Sequence, residues 1–369
     1  MSAPHPIPNP PLPEPLAHLA AMAPYPRAVP ARADGPPPIA LAQNESLRPP
    51  SPRAIEAATR ALGSALYSDP DWTALREAIA AEHALPAQQV LCGAGSMELI
   101  AAIAAAYLGP GRRALAPAQG YAFFRTATAL TGAAFDTAPE RAFTVDVDAL
   151  LAALRPETAV VWLANPGNPT GTAIPTAEIA RLRAALPANV LLVVDEAYGE
   201  FAAEAPAWPL VAEGNTVVLR TFSKAFGLAG HRVGWGVFPP AIAGEVRKTL
   251  NLNNISAASQ AAATAAMRDQ AYMRATVEVT ARLREGFIAR LRRAGIAVPD
   301  SHTNFALLDL GTPARAAALD ASLRARNISL RGMGSYGLPH CLRATIGAAD
   351  CMDIVAKAIE AFTAAEGAP

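Results

Sequence analysis

Lys224 closes the stretch Asn215-Thr-Val-Val-Leu-Arg-Thr-Phe-Ser-Lys224, behind a short apolar run from Thr216 to Arg220, and Arg232 follows eight residues later. A charged amine straight after a buried strand must be paired, desolvated or used. One use is nucleophilic: a lysine of lowered pKa attacks an aldehyde to form a Schiff base, and pyridoxal phosphate is the common aldehyde cofactor. Ser223 and Arg232 would then suit that cofactor's phosphate, as hydroxyl donor and guanidinium fork. Taken alone, Lys224 reads at least as well as a surface lysine in a loop.

Four other polar clusters also follow apolar runs. Gly93-Ala-Gly-Ser-Met-Glu98 follows Val90-Leu-Cys and opens a helical pattern. Small residues there free backbone N–H groups for a phosphate, aided by the helix dipole. Glu98 stands where a dinucleotide fingerprint needs its third glycine, and no phosphate loop of the GxxxxGK[ST] type occurs, so a tight turn explains the segment as well. Pro117-Ala-Gln-Gly-Tyr121 offers a tyrosine able to stack on a flat cofactor or to fill a core. Asn165-Pro-Gly-Asn-Pro-Thr-Gly171 is a rigid turn by its Pro and Gly alone, which do not require its asparagines. Asp195-Glu-Ala-Tyr198 ends the apolar run Val190–Val194. A carboxylate in that place needs a partner, either helix-cap amides or a cation such as a protonated pyridine nitrogen, which strengthens the ring as an electron sink. Tyr198 could donate to that ring's phenolic oxygen.

The elements that must hold these clusters are apolar runs alternating with helical patterns from Val90 to about Phe238, the signature of a buried, mainly parallel sheet. The runs are Val90-Leu-Cys, Arg113-Ala-Leu-Ala, Thr158–Leu163, Val190–Val194, Thr216–Leu219 and Gly234–Phe238, with helical patterns at Glu98–Leu108, Ala122–Thr131 and Pro175–Leu186. Ligands of open parallel sheets sit at the carboxyl ends of the strands, where the polar clusters fall. Upstream, 16 of the 34 prolines lie between Pro4 and Pro52, which predicts an extended arm without long helices. Helices are expected over Pro52–Leu62 and Trp72–His83, the latter with Asp71 as N-cap. Beyond Asn251 a long helical pattern, Ala257–Ala294, leads to short strands at Asn304–Leu310 and Cys341–Ile346 and a final helix at about Ala349–Ala364. The expected domains are an arm at 1–47, a large α/β domain at 48–250 and a smaller α+β domain at 251–369.

Lys+Arg and Asp+Glu both number 31, a balance that argues against a nucleic-acid binder. Apolar runs are interrupted by charge before spanning length, and no basic segment followed by an apolar core opens the chain, so neither a membrane span nor a secretory signal is expected. Cys92, Cys341 and Cys351 form an odd set without CxxC, as expected of reduced thiols in a cytoplasm. The six histidines show no metal-ligand spacing, which predicts chemistry without a metal.

Asn165-Pro-Gly-Asn-Pro-Thr-Gly171, Asp195-Glu-Ala-Tyr198 and Thr221-Phe-Ser-Lys224 followed by Arg232 resemble, in order and spacing, the fold-type I pyridoxal-phosphate aminotransferases. The similarity runs from about Tyr25 to Ala364. Within that superfamily the chain is most similar to the histidinol-phosphate aminotransferase family, through Pro24-Tyr-Pro26, Asn44-Glu45, the stretch from Tyr67-Ser-Asp-Pro-Asp-Trp72 to Arg76, and that from Tyr336-Gly-Leu-Pro-His to Gly347. The resemblance implies a large domain with a mainly parallel sheet plus a smaller α+β domain, a small-molecule amino donor and a 2-oxo acid acceptor. It implies that Lys224 carries the cofactor, that Asp195 pairs with the pyridine nitrogen, and that Asn168 and Tyr198 meet the ring's 3′ oxygen. Ala94, Gly95, Ser96, Ser223 and Arg232 would hold the phosphate, and Tyr121 would stack on the ring. Tyr67 would reach the phosphate of the neighbouring subunit's cofactor, which makes the protein a homodimer with shared active sites. Arg343 matches the arginine that clamps the substrate carboxylate. Arg331 and Tyr25 are candidates for a substrate phosphate, with Asn44 beside them.

The chain departs from that pattern at Met97, where the family usually has an acidic residue, and in a longer segment before Tyr121. Leu252-Asn-Asn-Ile-Ser256 only loosely matches the family's Asn-rich substrate loop. Aromatic amino acid aminotransferase and threonine-phosphate decarboxylase chemistry are alternatives on the same fold. A non-catalytic pyridoxal-phosphate sensor would bring a helix-turn-helix that the Pro-rich arm cannot supply.

Overall fold

Strands apolar on both faces can be satisfied only inside a sheet covered on both sides, and the apolar runs assemble in that way. The structure, a computed structural model, describes residues 13–23, 38–63 and 65–366. Its main sheet has seven strands: β1 (Val90–Gly93), β2 (Arg113–Pro117), β3 (Ala134–Ala138), β4 (Thr158–Ala164), β5 (Leu191–Asp195), β6 (Thr216–Thr221) and β7 (Gly234–Val237). Their order is β1-β7-β6-β5-β4-β2-β3, and every pair is parallel except the two made by β7. The central strands β4, β5 and β6 are buried almost throughout. Edge strand β3 gives no apolar run, because Ala134-Phe-Asp-Thr-Ala138 is mostly half-buried and alternates nothing but small and polar residues around Phe135.

Five helices position the site: α1 (Pro52–Ala61), α2 (Thr73–His83), α3 (Ser96–Tyr107), α4 (Ala257–Arg268) and α5 (Gln270–Arg293). Ser51 caps α1 by accepting from the Ala54 amide at 3.2 Å, with Pro52 at the first helical position, where no N–H is needed. The expected cap of α2 differs. Asp69, not Asp71, accepts from the Thr73 amide at 2.7 Å and from the Asp71 amide at 2.9 Å, while Trp72 stands at the cap with φ 50°. A carboxylate two and four residues upstream reaches those amides because the turn folds back over itself. The helical pattern read as continuous from 257 to 294 is broken at Asp269.

That break bears on the domain boundary. Ala54 and Ala58 of α1 are buried with Ala262, Ala263 and Ala266 of α4 in one core, which the sheet shares. Phe287, Ile288 and Leu291, late in α5, belong to a second core with Leu308, Leu342, Val355 and Ile359. The division between cores therefore falls along α5 rather than at residue 250, because alanine lets α4 pack closely against α1. The second core covers a three-stranded antiparallel sheet, β8 (Phe305–Asp309), β10 (Cys341–Thr345) and β9 (Arg331–Gly332), in that spatial order. The arm joins this unit: Ile39 pairs with Ile328, Leu41 is buried in the second core, and Leu41 O accepts from the Thr345 amide at 2.9 Å. Among the described residues no helix is long and apolar enough to cross a membrane.

One charged cluster lies inside the main sheet. Arg220 in β6 pairs with Glu196 at 2.7 Å and Glu200 at 3.1 Å, and all three side chains are buried. Gly199 is needed there, since a Cβ on it would collide with the guanidinium. Removing one member of a buried ion cluster strands the others' charge, at a cost of about 3–5 kcal/mol. Arg220→Ala should lose about that much in urea unfolding; a change within ordinary surface-mutation scatter would show that the cluster is hydrated.

Candidate active site

A cleft of about 740 Å3 opens where the carboxyl ends of β4, β5 and β6 meet the arm and the small antiparallel sheet. Asp195 is the last residue of β5 and is buried. The Ala197 amide donates to one of its oxygens at 3.1 Å, and the other has no hydrogen bond among the described residues. Burial pushes this carboxyl up to about 7. Lys224 follows the end of β6 by three residues, and its Nζ donates to Asn44 O at 3.0 Å and Gln43 O at 3.3 Å. Burial first, then the Arg343 guanidinium, brings the amine down to about 8, against the opposing pull of Glu45. Its Nζ lies 5.9 Å from the centre of the Tyr198 ring. Tyr198 is buried, edge-on to Phe305, and its hydroxyl accepts from Asn44 Nδ2 at 2.8 Å.

In the same cleft, beside Lys224, a helix start and a guanidinium form a cradle that could hold an anion. Gly95 has φ 80°, and a Cβ on it would lie 2.5 Å from Arg232 Nη2, so the guanidinium rests directly on the turn. Gly234 of β7 is required for the same closeness, since its Cβ would strike the Ser96 amide. Arg232 is held by Ala229 O at 3.1 Å and by Ser223 Oγ at 3.4 Å. The Ala94 amide donates to Glu98 Oε2 at 2.6 Å and the Gly95 amide to Gly93 O at 2.7 Å. Ala94, expected on the phosphate, thus has its donor occupied. Among the described residues, the amides left open at this helix start are those of Ser96 and Met97, both of which line the cleft.

The other candidates separate clearly. Tyr121 lines the cleft beside the anion cradle, edge-on to Phe124 at 5.6 Å. Of the two asparagines in the β4 turn, Asn165 closes the loop by a two-way bond with Ile174 at 2.9 and 3.0 Å, and Asn168 faces the cleft and accepts from Arg343 Nη1 at 2.5 Å. Arg343 is anchored further on Ala42 O at 3.1 Å and lies over the Phe305 ring. Arg331 stands in register opposite Arg343 across β9 and β10, and both line the cleft. Asn44 takes φ 56° so that its amide meets Thr345 Oγ1 at 2.9 Å while its side chain meets Tyr198. Tyr67 is 91% exposed and stands outside this chain's cleft. Tyr25 lies outside the described residues.

Asn253 and Asn254 do not face the cleft; Asn253 bonds Ser68 O, and Asn254 bonds Glu98 and Trp72. Sequence reasoning missed Asn304, whose side chain donates to Asn44 O at 3.1 Å and Glu45 O at 3.0 Å and so holds the arm over the cleft. Its only signal was a polar amide at the head of an apolar strand. Away from the cleft, metal-ligating atoms of Asp309, His340 and Cys341 lie within 4.8 Å of one another, a grouping that histidine spacing could not reveal. Burial and Asp309 push that thiol up to about 12, far from the thiolate a metal needs.

The residues fit pyridoxal phosphate. A buried carboxylate with an unbonded oxygen suits a cationic ring nitrogen, an amine of lowered pKa suits an aldehyde, and two open amides with a guanidinium suit a phosphate. Without the cofactor, the raised carboxyl pKa has a sign that can be checked. The folded state keeps the Asp195 proton up to about pH 7, whereas an unfolded chain loses it near the ordinary value of 3.8. Stability of the cofactor-free protein must therefore fall, through this group, as pH rises from about 4 to 7. Asp195→Asn cannot titrate, so its melting temperature relative to wild type should climb across that window in scanning fluorimetry. Parallel curves for the two proteins would mean that the carboxylate is solvated.

The chain matches the family described as aminotransferase class I and II over residues 36–362. The histidinol-phosphate aminotransferase of Granulibacter bethesdensis is 43% identical over 331 residues, 88% of this chain and 90% of that protein. That of Rhodospirillum centenum is 43% identical over 328 residues, 87% of this chain and 90% of its own length. The crystal structure of histidinol-phosphate aminotransferase from Sinorhizobium meliloti in complex with pyridoxal-5'-phosphate has a TM-score of 0.85 at 31% identity, covering 89% of this chain and 91% of that one. The seven-stranded, mainly parallel sheet with its smaller α+β unit is thus a fold-type I architecture, and the chain belongs to the aminotransferase class I and II family.

Proposed function

We propose that this pyridoxal-phosphate-dependent aminotransferase takes histidinol phosphate as amino donor and 2-oxoglutarate as acceptor, giving imidazole acetol phosphate and glutamate. The observation that carries the substrate reading is the pair Arg331 and Arg343, in register on adjacent strands and lining the same cleft as Lys224. One pocket must accept a phosphate dianion in one half of the cycle and a carboxylate in the other, and two guanidinium groups side by side can serve both. The names of the relatives, 43% identical over most of both chains, support the same reading.

Pyridoxal phosphate, when bound, supplies the electron sink for charge developing at the substrate Cα. The protein's residues do the rest. Asp195 holds the ring nitrogen protonated, because a desolvated carboxylate is relieved by a cation beside it. Ser223, Arg232 and the Ser96 and Met97 amides hold the phosphate at the helix start. Tyr121 would cover the ring, and Tyr198 and Asn168 would hold its 3′ oxygen. Lys224 would carry the cofactor, and its Nζ, when free, would be the base that holds the substrate Cα proton and gives it back, a role suited to an amine near 8. Arg343, already fixed by Asn168 and Ala42, orients the substrate for that transfer.

A hydrogen bond to a charged group is worth about 1.5–3 kcal/mol, so Arg331→Ala should lower kcat/KM for histidinol phosphate by roughly ten- to a hundred-fold. Phenylalanine, with no phosphate, should be affected much less. Equal losses would make Arg331 structural, and a wild type inactive on histidinol phosphate but active on phenylalanine would assign the protein to aromatic amino acids. The homodimer is part of the same proposal and rests on Tyr67, exposed in a turn that does not reach its own cleft. Lys224→Ala and Tyr67→Ala, each inactive alone, should regain activity when co-expressed, because the hybrid has one site with both residues intact. Co-expressed pairs as inactive as their parents, or full activity in Tyr67→Ala, would end the shared-site reading.

A further inference from the structure

The helix start beneath the anion cradle is held by a carboxylate, an odd choice beside a phosphate site. Glu98, in the first turn of α3, accepts on Oε2 from the Ala94 amide at 2.6 Å and from Asn254 Nδ2 at 2.5 Å. A negative charge there repels an incoming anion, so its presence requires a compensating gain. Asn254 carries the connection onward: its Oδ1 accepts from Trp72 Nε1 at 2.9 Å, and Trp72 is fully buried with φ 50°. The turn between Tyr67 and Trp72 is pinned at three successive carbonyls. Asn253 donates to Ser68 O at 2.5 Å, Gln260 to Asp69 O at 2.8 Å, and Arg247 to Pro70 O at 2.5 Å. The Arg247 guanidinium also lies 4.3 Å over the Trp72 ring. Tyr67 is therefore an exposed side chain at the edge of a turn fixed from below.

We propose that Glu98 and Asn254 are positioning residues that tie this chain's phosphate site to the turn carrying Tyr67 through one hydrogen bond. Glu98 fixes the Gly93–Met97 turn so that the open amides of Ser96 and Met97 meet the phosphate of this chain's cofactor. Through Asn254 the same bond fixes the turn that presents Tyr67 to the partner's cofactor. A bond to a carboxylate belongs to the stronger, charge-assisted class, which suits a contact that must hold two turns in one geometry. The inference rests on the cofactor reading given above.

The test reverses the bond. Asn254→Asp places a like charge against Glu98 while keeping the acceptor for Trp72. Adding Glu98→Gln removes the like charge and exchanges donor and acceptor: both contacts fall on Oε2, so the introduced amide must turn to aim its nitrogen at the introduced carboxylate and its oxygen at the Ala94 amide. Pyridoxal-phosphate affinity is measured by fluorescence titration of cofactor-free protein, with thermal unfolding and amide exchange of residues 65–72 and 94–98 followed on the same samples. Asn254→Asp should weaken the cofactor by about tenfold or more, the weight of one charge-assisted hydrogen bond. It should speed exchange in both segments while leaving the cofactor-free melting temperature near wild type, and the double variant should recover affinity and protection. Unchanged affinity, or an affinity loss that tracks a lower melting temperature and is not recovered, would overturn the proposal. Arg232→Ala separates the two readings: if it binds the cofactor like wild type, the phosphate site itself is misassigned and this inference falls with it.

Discussion

A carboxylate desolvated by the sheet and only half satisfied by it governs this site. Asp195 ends β5 in the buried middle of the seven-stranded sheet, with one amide on one oxygen, and burial raises it to about 7. Nearby, burial moves Lys224 the opposite way, to about 8. Both groups are thus brought toward neutrality by the same loss of water, and both are relieved by one ligand that carries a cationic nitrogen and an aldehyde. The surrounding structure withholds other partners. Arg220, a buried cation on the neighbouring strand β6, is already committed to Glu196 and Glu200, and its pull on Asp195 is outweighed by burial.

Three parts of the chain must meet to keep that arrangement closed. The sheet supplies Asp195, Tyr198 and Lys224; the arm supplies Asn44; the small sheet supplies Arg343. Asn44 links them: its side chain bonds Tyr198, its carbonyl Lys224, and its amide Thr345, two residues from Arg343. A residue in that position needs φ 56°, which asparagine tolerates better than most side chains. Asn168 performs a similar service from the β4 turn, tying the sheet end to Arg343. Substrate orientation and cofactor chemistry are consequently coupled through short polar contacts rather than through either apolar core.

The glycines mark where backbone must approach closely. Antiparallel β7 enters the otherwise parallel sheet with Gly234 opposite Gly93, and only that absence of side chains lets the start of α3 descend onto the strand. Gly95 then admits the Arg232 guanidinium. The cradle is therefore made mostly of backbone and one arginine, which explains how Met97 can replace an acidic residue there without removing a donor: its amide, not its side chain, is what the helix start offers.

Local sequence carried the elements and the chemistry at their ends. Apolar runs such as Val190–Val194 can be satisfied only as buried strands, and a charged or polar residue straight after each run must face whatever lies at the sheet's edge; that is why Asp195, Lys224 and the Gly93–Glu98 turn could be read in order. Which of those residues meet is a matter of tertiary contact. Edge strand β3 has no apolar run because one side of it is open, so local periodicity could not announce it. The register that puts Arg331 opposite Arg343 is set by how β9 joins β10, and Asn44 and Asn304 find each other across most of the chain. Asn253 and Asn254 turn toward Ser68 and Glu98 instead of the cleft, and the core divides along α5 because alanines on α1 and α4 pack too closely to part earlier. Burial and capping are local properties that composition and spacing record; register, long-range hydrogen bonds and close backbone approach depend on partners distant in sequence, and no local pattern encodes them.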